Sequence, residues 1–182
     1  LEAYAGPDEA VLLRYAPATG LTAVPLVPPG PGDVRRIDSV VALGDELFFT
    51  VATAQNGPHT LYRHRPGDGV IPVPGPWTDP VDLWTHDGEL FVGDAAAGGS
   101  VFRFDGVTAS PVPGAPTYAS DGTAFGDVTL VTATVGGESQ LHVFDGAAFT
   151  PLDVFDACAF VEFGGALYFM GSENSDGVYD VW

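Results

Sequence analysis

The sequence predicts an all-β fold: a β-propeller of four to five mostly four-stranded antiparallel blades, with five the number its strand count favours. Three observations predict it. One phrase recurs four times, as "LGDELFFTVATAQNGPHTLYRHRPGDGVIPVP", "HDGELFVGDAAAGGSVFRFDGVTASPVP", "FGDVTLVTATVGGESQLHVFDGAAFTPL" and the shorter "FGGALYFMGSENSDGVYDVW". Laid on Gly44, Asp87 (where the glycine has slid to Gly88), Gly126 and Gly164, the copies are spaced 43, 39 and 38 residues apart, a period that marks solenoids, propellers or arrays. Within each copy, short apolar runs are separated by Gly, Pro, Asn and Asp, the punctuation of strands and tight turns. No window carries the i, i+3, i+4, i+7 apolar stripe of a capped helix, which argues against α/β and α+β folds.

Taken in order, the units cover approximately 1–31, 32–76, 77–117, 118–154 and 155–182, within one domain. The first is incomplete: "VLLRYAPATG" matches a third strand and "LTAVPLV" a fourth, with "LEAYAG" the remnant of a second. The next three are complete. Each opens with a hairpin ("SVVAL" with "ELFFTV", "VDLWT" with "ELFVG", "DGTAF" with "VTLVTA") and continues through a third run ("TLYRHR", "SVFRFDG", "QLHVFDG"). A Pro-marked fourth run follows ("VIPVP", "ASPVP", "AFTPL"); proline cannot donate to a ladder, so these strands belong at sheet edges. The last unit has "CAFVEF", "ALYFMG" and "GVYDVW" and lacks an outer strand. Closure has three forms: the last two apolar runs complete the sheet begun by "VLLRY" and "LTAVPLV", giving four blades; every run is its own strand, giving five; or the chain is a segment of a larger ring.

Of 182 residues 46% are hydrophobic and 16% charged, with 24 Gly and 16 Pro scattered between the apolar runs, a composition that folds and has no linker. Twenty-four acidic residues oppose six basic ones, all Arg, for a net charge of -18. Such a surface repels phosphate backbones and anionic headgroups, which disfavours nucleic acid and direct membrane binding and leaves cations as small partners. It also keeps a strand-rich chain soluble. Cys158 is the only cysteine, so there is no intramolecular disulfide and no thiolate cluster; its apolar setting predicts a buried, inert thiol. No apolar run approaches the length of a membrane span. The start at Leu1 without Met reads as a processed form, a domain, or part of something longer.

At these residues the chain resembles the ELWxxDGT repeat proteins, bacterial and mostly secreted or surface-associated propeller-like repeats. "ATGLTAVPLVPPGPGDVRRIDSVVALGDELFFTV" follows the order of their pattern, and "FGGALYFMGSENSDGVYDVW" ends on its "ELW" position with Tyr179, Asp180 and Trp182. The likeness covers nearly the whole chain, although "LYRHR", "VFRFDG" and "LHVFDG" depart from "ELW.SDGT". It implies a propeller and an extracellular or cell-surface setting, and it carries over no catalytic residue.

Register places Ser39, Asp82, Asp121 and Ala159 at one inner-strand position. Asp82 and Asp121 would face a shared axis and could hold a hard cation such as calcium, which takes several oxygen ligands; the alternative is that each caps a turn. Glu162, in an otherwise apolar strand, with Asp82 and Asp121 would supply the two carboxyls of a glycosidase, although strand alternation puts it on the opposite face. Arg14, Arg63 and Arg103 share a third-strand position followed by Tyr15, His64, Phe104 and, in the next unit, Phe144. Arg63 and Arg103 are read either as binding donors beside an aromatic platform or as partners of acidic turn residues in the neighbouring blade. His59, His64, His86 and His142 have no metal-ligand spacing, and His86 with Trp84 are the exposed binding candidates. "GDAAAGGS" has no helix after it and is no phosphate cradle.

These readings favour a non-catalytic binding or assembly module with a carbohydrate or protein ligand. The alternatives are a glycosidase or lyase using channel-mouth carboxylates, and a structural subunit whose terminal edge strands pair with another copy.

Overall fold

Tight turns with a left-handed first residue set the repeat. In each hairpin that opens a unit, the first turn residue has positive φ: 60° at Gly44, 48° at Asp87, 57° at Gly126 and 63° at Gly164. Type I′ and II′ turns demand this because only they match the twist of the flanking strands, and Asp tolerates the conformation better than most side chains. The aspartate therefore takes the first position and the glycine slides to the second.

The structure, a computed structural model, describes residues 12–18, 20–24, 36–52, 54, 57–172 and 180–181. Among the described residues it is all-β and antiparallel, with one 3-10 turn at Ala96–Gly98. Strands β1 (Leu12–Ala16) and β2 (Gly20–Val24) pair as a two-stranded sheet. A four-stranded sheet follows in the order β3 (Arg36–Leu43), β4 (Glu46–Ala52), β5 (His59–Arg65), β6 (Gly69–Pro72). The next repeats that order with β7 (Pro80–His86), β8 (Glu89–Asp94), β9 (Ser100–Phe104) and β10 (Ala109–Pro111). The last has six strands: β11 (Thr117–Phe125), β12 (Val128–Val135), β13 (Glu138–Phe144), β14 (Phe149–Phe163), β15 (Ala166–Ser172) and β16 (Asp180–Val181). The Pro-marked strands β6 and β10 lie at sheet edges, as expected.

The six-stranded sheet is two units joined by one strand. Phe149 to Phe155 of β14 pair with β13, and Phe155 to Phe163 pair with β15. Elsewhere a Gly-Pro or Pro-Gly loop, "PVPGPWTDP" or "PVPGAPT", breaks the chain between units; "PLDVFDACAF" has no such breaker after Pro151, so the strand runs on. Its irregularities repeat those of β11. Bulges flank Ser120 and again Cys158, with positive φ at Tyr118 and Asp121 and again at Asp156 and Ala159.

Two apolar clusters lie between successive sheets, and a third lies between the two units of the six-stranded sheet. Phe48 and Leu61 meet Leu83, Leu90, Val92 and Phe104. Trp84, Phe91 and Val101 meet Ala119, Val131, Ala133 and Phe144. Leu130, Leu141 and Val154 meet Phe160, Leu167 and Phe169. Strand alternation makes this possible, since Leu83 and its neighbour Trp84 point to opposite faces of one strand and so enter different clusters. The backbone of β11 comes close to the Trp84 side chain at Gly122: a Cβ there would lie 2.4 Å from it. The first strands of the sheets are adjacent, β3 beside β7 and β7 beside β11. Hydrogen bonds fasten β7 to the sheet before it: Leu83 N donates to Ser39 Oγ of β3 at 3.0 Å and Thr50 Oγ1 of β4 donates to Val81 O at 3.1 Å.

Two expectations are corrected. Cys158 is exposed, because it sits at a bulge on the outward face of the last strands. The four-blade closure requires β1 and β2 to extend the last sheet; instead they form their own, and β16 already occupies the place beside β15. The stretches "LEAYAG" and "ENSDG", Tyr179 and Trp182 lie outside the described residues. Among the described residues no helix is long and apolar enough to cross a membrane.

Candidate functional site

Three consecutive first strands each contribute a carboxylate: Asp38 from β3, Asp82 from β7 and Asp121 from β11. Asp82 is half-buried and opposite Gly93, which offers it no side chain. Burial pushes its carboxyl up to about 6, and the negative charges of Asp121 and then Asp38 push in the same direction against a smaller opposing pull from His59. Asp121 is exposed and held at φ 53° by the bulge in β11. The result is a patch of negative potential in which Asp82 gives up its proton only at about pH 6.

A relay of ion pairs supports the patch where the first two four-stranded sheets meet. Buried Asp94, at the end of β8, accepts the backbone N–H groups of Thr78 (2.9 Å), Asp79 (2.8 Å) and Ala96 (3.0 Å), which fixes the segment entering β7. Asp79 Oδ1 then accepts the backbone N–H of His59 at 2.8 Å and its Nδ1 at 2.7 Å. His59 Nε2 contacts Asp38 Oδ2, and Arg36 Nε lies 2.5 Å from Asp38 Oδ1. Burial acts to raise the Asp79 carboxyl, but the backbone and ring N–H groups of His59 and its charge together hold it below the ordinary carboxylate value.

The residues singled out in the sequence are distributed differently. Asp82 and Asp121 are coupled electrostatically, together with Asp38. Among the described residues no group of three or more His, Cys, Asp or Glu side chains has an arrangement that holds a metal ion. Ser39 ties β3 to β7, Ala159 is exposed at the second bulge, and Glu162 is exposed on the last strands. Trp84 and His86, expected at exposed positions, are buried in the cluster between the third and fourth sheets: the Trp84 ring stacks on Phe91, and His86 packs edge-on against Phe91 and Phe144. His86 Nδ1 is 3.1 Å from Thr129 Oγ1, while His86 Nε2 and Trp84 Nε1 have no hydrogen-bond partner among the described residues.

Arg63 and Arg103 pair within their own sheets, correcting the expectation of a neighbouring-blade partner. Arg63 Nη1 is 3.4 Å from Glu46 Oε1 and Arg103 Nε is 2.6 Å from Glu89 Oε2. Each glutamate begins the second strand, so register brings it beside the end of the third. The "FDG" residues Asp105 and Asp145 organise turns: Asp105 Oδ1 accepts Val107 N and Thr108 N, and Asp145 Oδ1 accepts Ala147 N and Ala148 N. Those backbone donors hold both carboxyls below their ordinary value.

No family model matches the sequence, and no curated protein does. A solved structure similar to this chain is that of a prolyl endopeptidase, with a TM-score of 0.62 and 14% sequence identity. That protein has a β-propeller domain. The similarity covers 97% of this chain and 30% of the endopeptidase chain, so the chain spans under a third of the protein it matches. At this identity the likeness concerns the fold alone.

Proposed function

We propose that the chain is a propeller-type binding or assembly module, non-catalytic, with its sheets as successive blades and five units in the ring. The observation that carries the reading is the convergence of Asp38, Asp82 and Asp121 from three adjacent first strands, which builds a negative patch on a rigid scaffold. A ligand that relieves this repulsion brings positive charge, so a protein or peptide with exposed Lys or Arg fits best. A carbohydrate would use the same oxygens through its hydroxyls, and calcium would use them as ligands. The fold of the endopeptidase propeller supports the architecture, and the ELWxxDGT-like pattern supports an extracellular or cell-surface setting.

The test is calorimetric titration with an Arg-rich peptide, a neutral oligosaccharide panel and calcium chloride, on the native chain and on the Asp82→Asn/Asp121→Asn double variant. The expected result is peptide binding that weakens with salt and falls by about tenfold or more in the double variant. Equal binding by both proteins, or none, would overturn the reading.

A second reading is favoured by one specific observation, the raised carboxyl of Asp82. A carboxyl raised to about 6 beside a second carboxyl, that of Asp121, is the kind of pairing a glycosidase uses as general acid and as base or nucleophile. Hydrolysis of a glycoside panel that is abolished by Asp82→Asn would establish it in place of the first.

A further inference from the structure

We infer that Tyr118 is the ring on which an arginine side chain of the ligand stacks, and that this ring makes the acidic site select arginine over lysine. The inference rests on the acidic site proposed above and narrows its ligand to one chemical group.

Tyr118 stands where its own backbone disfavours a tyrosine. It lies in a bulge of β11, between the paired positions Thr117 with Thr134 and Ser120 with Thr132, and its φ is 49°. A bulky side chain in that left-handed region is an outlier, and backbone strain of this kind gathers at ligand-contacting positions, as bulges do. Burial does not offset the strain, since the residue is 48% exposed. The bulge itself belongs to the scaffold, because Asp156, equally placed eight residues before the next turn anchor, has φ 51°. The aromatic residue on it does not. The same position holds Arg36, Asp79 and Asp156 in the other units, and aspartate tolerates a left-handed φ far better than tyrosine.

The surrounding backbone is shaped to hold this segment. A Cβ on Gly99 would lie 2.4 Å from Tyr118 N, and one on Gly93 would lie 2.5 Å from Ala119 O, so two glycines let the second four-stranded sheet close on the bulge. Thr117 Oγ1 donates to Thr134 O at 2.6 Å on one side of it, and Ser120 Oγ meets Thr132 Oγ1 at 3.0 Å on the other. Between these ties Ala119 is buried and Tyr118 is exposed. Asp121, three residues on, is exposed as well, at φ 53°, and its charge is the larger of the two that act on Asp82. An aromatic face and a carboxylate on one short segment suit a guanidinium, which is planar, stacks on a ring and presents a fork of N–H donors to an acid. An ammonium is a compact, strongly hydrated charge and gains less from the ring.

The experiment is calorimetric titration with two peptides that differ only in carrying arginine or lysine at the same positions. It uses the native chain, Tyr118→Phe, Tyr118→Leu and the Asp82→Asn/Asp121→Asn double variant. The native chain is expected to bind the arginine peptide about three- to fivefold more tightly than the lysine peptide. Tyr118→Phe should keep that preference, and Tyr118→Leu should lose it while still binding both peptides. Circular dichroism reports whether Tyr118→Leu folds. Tyr118→Gly, which suits the left-handed backbone, is the second variant without a ring; it should lose the preference and raise the urea midpoint. Equal affinity of the native chain for the two peptides, or a preference that survives in Tyr118→Leu or Tyr118→Gly, overturns the inference. If the aspartate double variant still weakens binding in that case, the acidic site stands without the ring. If neither peptide binds the native chain, both readings fall.

Discussion

Replacing Asp82 with Asn should stabilise the protein near neutral pH and leave it unchanged in acid. The folded protein holds the Asp82 proton up to about pH 6, whereas the carboxyl released on unfolding titrates near 3.8. Between those values the folded state binds more protons than the unfolded state, so stability falls as pH rises through the window and the full penalty is present above it. Raising a carboxyl from 3.8 to about 6 corresponds to about 3 kcal/mol, an upper figure, since the site is half-buried and an amide there still loses some hydration. A gain of about 1 to 3 kcal/mol at about pH 7.5, shrinking to near zero at about pH 3.5, is therefore expected in urea unfolding monitored by tryptophan fluorescence. Asp121→Asn should recover part of the gain, because it removes the larger of the two repulsive charges. A neutral or destabilising Asp82→Asn at the higher pH, or an equal change at both, would refute the reasoning and with it the electrostatic account of the site.

Two further outcomes follow from the same geometry. His59→Ala removes the ring that joins Asp38 to Asp79 and should cost about 2 to 3 kcal/mol by chemical denaturation at neutral pH. Since the Asp79 carboxyl is lowered in the folded state, the stabilisation is present above the ordinary carboxylate range and lost as pH falls through the folded value; a cost that does not shrink in acid would contradict the pairing. Ala159→Gly relieves a left-handed φ of 55° at an exposed bulge and should raise the melting temperature slightly, by about 0.5 to 1 kcal/mol in stability. A decrease would mean that the alanine methyl is packed.

The repeat was legible because its signals are local. The anchors Gly44, Asp87, Gly126 and Gly164 mark turns whose chemistry is fixed by two residues, and Asp105 and Asp145 organise turns within a further three. The fusion of two units through β14 depends on something missing, a Gly or Pro after Pro151, and an absence is hard to weigh among strand runs of similar composition. Trp84 and His86 look exposed from sequence only if a first strand turns one face to an open channel. Both faces of β7 are instead covered by neighbouring sheets, so its aromatic residues are core. Asp38, Asp79 and Asp94 escaped notice, and His59 was weighed only as a metal ligand, because the four come from different positions of the repeat and meet only where one unit docks on the next. The sequence does carry one hint of them, the Asp of "WTDP" just ahead of a strand, where a side chain commonly captures backbone donors.

The continuous strand β14 also determines how the chain can be divided. Loops rich in Gly and Pro separate β6 from β7 and β10 from β11, so a protease, an inserted domain or a new terminus could enter there and leave complete sheets on each side. No such seam exists between β13 and β15: a break within Phe149–Phe163 cuts the one strand through which both units of the six-stranded sheet are paired. The last two units are therefore the smallest piece from that end that can be inherited, exchanged or unfolded as a whole.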